Sequence, residues 1–325
     1  ANPESLPQAR FSMYWKSTPA SANVGSWSRE TESSMKKSPE KHKEQSVIIS
    51  TRAQNSLGGR LFIPVDPIGE SILVSSATGM LQKFYFAFSR HFASLGYTVL
   101  TFDYFGIGDS GGSPEKLRKN TTNLVEWGSH DQAGALRFLK DFSPESKITV
   151  ITHSIGGQIC GFNPEHASID RIIMVASQNS YWKNFQGRHK LKMWMFWNAM
   201  IPWGTALYGY FPARHFGLFE NLPKNMVRQW RRWGTHPDYL MGFRDPSYLF
   251  DALKMPILSL SFPADPLAPP QTVDWLAAQY RNAPVRRIHY TDEGDNPGHF
   301  GYFRPPFKDT LWKYTHQWIQ TDEWK

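Results

Sequence analysis

The chain has 325 residues, with 36 Lys and Arg against 28 Asp and Glu, giving a formal net charge of +8. That length holds one large or two ordinary domains, and the basic balance comes without zinc-finger spacing or a basic helix with heptads, so nucleic acid is not an expected partner. The single cysteine, Cys160, excludes an internal disulfide framework and a cysteine-based metal cluster, which suits a reducing compartment.

Residues 1–45 are rich in Ser, Lys and Glu with no sustained apolar period, and read as a flexible extension. They contain no apolar core of a secretory signal, and their mixed charges do not suit an organelle transit peptide, so the cytoplasm is the default location. From Ser46 the pattern becomes regular. Short strands are expected at 46–50, 59–64 and 71–77, an aromatic amphipathic helix at 82–95, and an apolar strand at 97–103. A long helix at 123–142 precedes buried strands at 148–152 and 171–177. After a long middle region come a strand at 256–262, a helix at 271–280, a strand at 285–291 and a helix at 306–319. Strands alternating with helices imply an α/β fold: a mostly parallel sheet flanked by helices, built from 46–177 and 251–325.

Within that series, Gly106-Ile107-Gly108-Asp109-Ser110-Gly111 follows a strand and spells G-x-G-x-x-G. A dinucleotide loop should open straight into a helix facing the pyrophosphate. Here Gly112-Ser113-Pro114-Glu115 and a charged stretch follow, and Asp109 would set a carboxylate beside the phosphates. A structural turn is the better reading.

The stretch Lys147 to Cys160 breaks an apolar β-branched run at Thr152-His153-Ser154-Ile155-Gly156, followed by Gly157. This is strand, sharp turn, helix, and it departs from G-x-S-x-G only in having Thr152 for the first glycine. Ser154 is either a nucleophile on a strained turn or the serine of an ordinary turn or helix cap. A serine nucleophile needs a base and an orienting carboxylate. Asp265 and His299 lie just beyond the strands at 256–262 and 285–291, in the chain order serine, acid, histidine. Asp292, Asp295 and Asp274 compete for the acid role, the first two in the polar loop before His299 and the third inside a helix. His153, one residue from Ser154 across a sharp turn, is a poor base and a good packing residue. An oxyanion hole would take the backbone N-H of Ile155 and one from the loop after the third strand, with Met80 as first choice and Thr78 as second.

These motifs carry a resemblance. Asp103-Tyr104 with Gly106-Ile107-Gly108-Asp109-Ser110, His153-Ser154 with Gly156-Gly157-Gln158, and Gly298-His299-Phe300-Gly301-Tyr302-Phe303-Arg304 resemble the predicted α/β-hydrolases, a family of mostly bacterial proteins with a tryptophan-rich insertion. The resemblance runs from about Val47 to the C-terminus. It implies an α/β-hydrolase fold with a largely helical cap insertion, and Ser154, Asp265 and His299 as nucleophile, acid and base. Thr152 and Phe105 depart from the family pattern, standing where a glycine and an arginine are usual.

Residues 178–250 are too long for a connection and form the expected cap. Trp182, Trp194, Trp197, Trp203 and Trp230 either line a substrate pocket or build the cap's own core. Residues 193–211 carry no charge, but Asn198, Pro202, Gly204 and Thr205 interrupt them, so a lid helix or interface-seeking segment is expected rather than a membrane span. The cap's cations suit an anionic substrate, or weak contact with a membrane surface, or simply a solvated rim. The expected function is a serine hydrolase of a small-molecule carboxylic ester or thioester, working through an acyl-enzyme with no cofactor and no metal. The alternatives are an acyltransferase with the same triad and a non-catalytic ligand receptor. The sequence leaves the oligomeric state open.

Overall fold

In a computed structural model of the protein, the described residues are 41–244, 246–291 and 296–324. Eight strands form one sheet in the order β1-β2-β4-β3-β5-β6-β7-β8. They are β1 (His42–Ser50), β2 (Ser56–Pro64), β3 (Glu70–Ser75), β4 (Thr98–Phe102), β5 (Lys147–His153), β6 (Arg171–Val175), β7 (Ile257–Ser261) and β8 (Val285–His289). β1 pairs antiparallel with β2, and β2 with β4; all other pairings are parallel.

β1 begins at His42, so the last few residues read from the sequence as extension belong to the sheet. The start of this edge strand is open to water on both faces, so it carries no apolar alternation. Its backbone pairs with β2, and Glu44 is held by the Arg90 guanidinium at 2.6 Å. Residues 1–40, Asp245, Asp292 and Asp295 lie outside the described residues.

The central strands are buried on both faces, and their period of two sends neighbours to opposite cores. Ile72 and Val74 pack on one side with Ile151, Ile173 and Leu260, against Phe88, Phe92, Trp312 and Trp318 of the flanking helices. Leu73, Val150, Ile172 and Met174 pack on the other with Leu136, Leu139, Ile155 and Ile159. The helices are α1 (Phe86–Ser94), α2 (Pro114–Lys119), α3 (Leu124–Glu126), α4 (Ala133–Phe142), α5 (Ile155–Ile159), α6 (Gly187–Met195), α7 (Ile201–Tyr208), α8 (Lys224–Gly234), α9 (Pro270–Ala277) and α10 (Lys313–Thr321). α3 and α4 are joined through a π-helical turn, Trp127–Gln132, into the single long helix that the sequence pattern suggests. Its start is fixed by a capping box: Asn123 accepts from Glu126 N-H at 3.1 Å, and Glu126 accepts from Asn123 N-H at 2.9 Å.

The glycine-rich turn after β4 is built around Asp103. Its carboxylate accepts the N-H groups of Gln82 at 2.7 Å and Asp109 at 3.0 Å, and burial raises its pKa to about 6. Gly108, at φ +43°, has no room for a side chain, since a Cβ there would stand 2.3 Å from Asp103 Oδ2. Helix α2 follows only at Pro114, capped by Ser113. The G-x-G-x-x-G letters are thus accounted for by a turn that packs on a buried carboxyl group.

Residues between β6 and β7 carry α6, α7 and α8, and their buried aromatics Trp197, Phe211, Trp230, Trp233 and Tyr239 join the same core as Leu73 and Ile172. Among the described residues no helix is long and apolar enough to cross a membrane.

Candidate active site

The sharpest backbone feature is Ser154, at φ +53° and ψ −112° between β5 and α5. A non-glycine residue there is strained, and it persists because both flanking elements are locked. Gly156 and Gly157 permit the close approach: a Cβ on the first would lie 2.7 Å from Ser75 O, and on the second 2.3 Å from Ser177 Oγ. Thr152 is accommodated because its hydroxyl turns back to donate to Ile173 O at 3.3 Å.

Asp265 and His299 meet beyond the ends of β7 and β8, with His299 Nδ1 and Asp265 Oδ2 2.8 Å apart. Both residues are buried. The other carboxylate oxygen of Asp265 accepts the N-H groups of Leu267 at 2.9 Å and Ala268 at 3.0 Å, which fixes its rotamer. Asp274 is elsewhere, exposed on α9 and paired with Arg287 at 2.7 Å.

Ser154 and His299 open onto one cavity of about 220 Å³, shared with Ala77, Thr78, Gln178 and the apolar side chains of Met193, Phe196, Leu218, Phe219 and Trp230. The Ser154 hydroxyl donates to Gln178 Oε1 at a long 3.4 Å. Gln178 was not singled out from sequence, and the available signal was its position just past the carboxyl end of β6.

Two sequence assignments need correction. Met80 N-H is spent in a turn, donating to Ala77 O at 3.1 Å, and Met80 faces a second, outer pocket. β3 ends at Ser75 rather than Ala77, so the stretch facing Ser154 is Ala77-Thr78. Ala77 N-H donates to Tyr85 Oη at 2.9 Å. Thr78 is buried at the cavity wall, and its Oγ1 has no partner. Ile155 heads α5 directly after the serine.

Of the five tryptophans, only Trp230 lines the cavity. Trp197 is fully buried in the cap, donating to Ser180 O at 3.2 Å. Trp182 packs under Lys183 and Lys190, while Trp194 and Trp203 are 43% and 69% exposed. Helical phase is the reason, since Met193, Phe196 and Met200 take the inward face of the same helix.

His153 is neither base nor plain filler. Its Nε2 lies 2.9 Å from His299 O, and its Nδ1 lies 2.9 Å from Tyr85 Oη. A carbonyl can only accept, so Nε2 carries the proton and Nδ1 accepts from Tyr85, whose oxygen in turn accepts from Ala77 N-H. One directed chain thus ties the Ala77-Thr78 loop to the His299 loop behind Ser154. Burial holds the imidazole neutral, with its pKa well below the usual value.

Cys160 is buried beyond α5, and burial pushes its thiol up to about 12, so it is not a competing nucleophile. No group of three or more His, Cys, Asp or Glu among the described residues could hold a metal ion.

The sequence model of the Alpha/beta hydrolase family matches residues 72–307. Solved structures with the same fold include an esterase of Pyrococcus furiosus at 16% identity and TM-score 0.58, covering 90% of this chain and 96% of that one. A highly thermostable carboxyl esterase from Bacillus coagulans aligns at 13% identity and TM-score 0.59, covering 85% and 98%. DcsB, solved with its substrate analogue, aligns at 16% identity and TM-score 0.59, covering 86% and 100%. No curated protein sequence matches the chain.

Proposed function

Because the chain belongs to the alpha/beta hydrolase family, we propose that it is a serine hydrolase cleaving a carboxylic ester or thioester through an acyl-enzyme. The observation that carries this reading is the 2.8 Å contact of His299 Nδ1 with Asp265, on the same cavity as a serine held at positive φ.

The proposed steps are these. Asp265 accepts a hydrogen bond from Nδ1-H without taking its proton, which leaves His299 Nε2 free to take the Ser154 hydroxyl proton as Oγ attacks the substrate carbonyl. Attack moves charge onto the carbonyl oxygen, and the N-H groups of Ile155 and Thr78 are the donors for it, with Thr78 taking the role first given to Met80. His299 then passes its proton to the departing alcohol or thiol. Water, deprotonated by the same imidazole, attacks the acyl-serine and regenerates the hydroxyl. The apolar walls from Met193, Phe196, Leu218 and Phe219 suit the uncharged part of a small substrate.

A fluorophosphonate that labels active serines tests the reading. The wild-type chain should be labelled stoichiometrically and lose ester turnover, and Ser154→Ala should show neither. Labelling that survives in Ser154→Ala would overturn the assignment.

A further inference from the structure

α6, a π turn (Phe196–Met200) and α7 run without a break from Gly187 to Tyr208, a rod roughly 30 Å long. Its inner face is accounted for: Met193, Phe196 and Met200 wall the catalytic cavity, and Trp197 and Ile201 sink into the cap. Its outer face is unusual for a surface helix. Leu191, Met195, Trp203 and Leu207 share a four-residue repeat along one side, and they are 59%, 41%, 69% and 76% exposed. Trp194 and Tyr208 flank this stripe, also exposed. Large apolar side chains set side by side on a surface mark a contact site.

The charge around the stripe says what covers it. No Asp or Glu occurs between Asp170 and Glu220, whereas Lys183, Arg188, Lys190 and Lys192 fall on the rod or just before it. Arg188 and Lys190 are exposed at the N-terminal end of the rod. A helix with exposed Trp and Leu, neighbouring cations and no carboxylates has the composition of one that lies in a lipid interface. An anionic headgroup layer attracts its cations, while the apolar stripe enters the acyl boundary.

We propose that the outer face of this cap helix docks on an anionic lipid bilayer, with the helix axis in the membrane plane. The catalytic cavity then sits directly behind the docked helix. The proposal does not depend on the hydrolase chemistry, and its test reads binding alone.

The test is co-sedimentation of the full chain with vesicles of phosphatidylglycerol mixed with phosphatidylcholine, and with phosphatidylcholine alone. Binding is expected on the anionic vesicles, weakening as salt is raised and several-fold lower without the anionic lipid. Leu191→Glu and Leu207→Glu, at opposite ends of the stripe, should each lower the partition coefficient about tenfold. Lys190→Glu should lower it about fivefold or more. All three sit at exposed positions, so thermal unfolding and turnover of a soluble short-chain ester should match wild type. Failure to bind any vesicle, or binding indifferent to all three substitutions, would overturn the proposal. So would a concentration-dependent dimer that the same substitutions abolish in the absence of vesicle binding, since the stripe would then pair with a second copy.

Discussion

Tyr85→Phe removes one oxygen and should damage two loops. In the wild-type chain that oxygen accepts from Ala77 N-H at 2.9 Å and donates to His153 Nδ1 at 2.9 Å, and all three residues are buried. Phenylalanine fills the same space, so no cavity offsets the comparison. What remains is an amide donor and an imidazole acceptor with no partner and no water, each costing about 1–3 kcal/mol. The expected loss of unfolding free energy is therefore about 2–6 kcal/mol, a large share of the ~5–15 kcal/mol typical of a folded protein. Urea unfolding gives the stability, and turnover of a soluble chromogenic ester gives the catalytic effect. Because Ala77 precedes the proposed oxyanion donor Thr78, kcat should fall while KM moves little. A double-mutant cycle with His153→Phe should show a coupling of about 0.5–3 kcal/mol. A stability loss below about 1 kcal/mol, or additive effects in the cycle, would refute the directed chain. Normal kcat in a destabilised Tyr85→Phe would confine the chain to a structural role.

Asp265→Asn keeps the shape of the acid but favours the wrong imidazole tautomer, so turnover should fall roughly 10⁴-fold at neutral pH with KM little changed; steady-state kinetics would expose a milder loss. Thr78→Val removes a buried hydroxyl without a partner among the described residues and keeps the backbone donor, so kcat should stay within about twofold of wild type and the Tm should hold or rise, as steady-state kinetics and thermal unfolding would show. Asp131 gives a pH signature. It is fully buried, accepts Phe105 N-H at 2.8 Å, and burial raises its carboxyl to about 8, against an unfolded value near ~3.9. Between those values the native chain keeps a proton that the unfolded chain has released, so this group's contribution is full at low pH and is lost as pH rises toward 8. Relative to Asp131→Asn, wild type should lose about 1.4 kcal/mol of stability per pH unit between pH ~5 and ~7, as measured by urea titration at several pH values. Parallel pH profiles for the two chains would contradict the shift.

Ser154 and Asp265 stood out as candidates because each closely follows an apolar run that reads as a strand, whereas His299 lies ten residues past β8 and was singled out by chain order and by the motif around it. The proposed oxyanion donor did not stand out. The run Ser75-Ser76-Ala77 is small and featureless, and gives no residue-level sign of where β3 stops, which moved the choice two residues past Thr78. Which of the tryptophans on the cap rod reach the cavity was left open for a different reason. Which side of a helix faces inward depends on what packs against it, and the π turn at Phe196–Met200 shifts the phase midway. The Tyr85-His153-His299 chain bridges residues 68 and 146 positions apart, a juxtaposition that only the folded sheet creates.

The cap shares its hydrophobic core with one face of the sheet, and this determines how a substrate gets in. Swinging the cap away as a rigid lid would expose Trp197, Trp230, Trp233 and Tyr239 together with the sheet residues beneath them, at a cost of about 1.5–3 kcal/mol for each such side chain. A motion that expensive is partial unfolding, too rare to serve each turnover. Rotation of Leu218 and Phe219, which line both the inner cavity and the outer pocket, would expose none of that core. Such rotations take nanoseconds rather than the microseconds to milliseconds of hinged lids. A route through these two side chains would filter substrates by width rather than act as a gate that opens and closes.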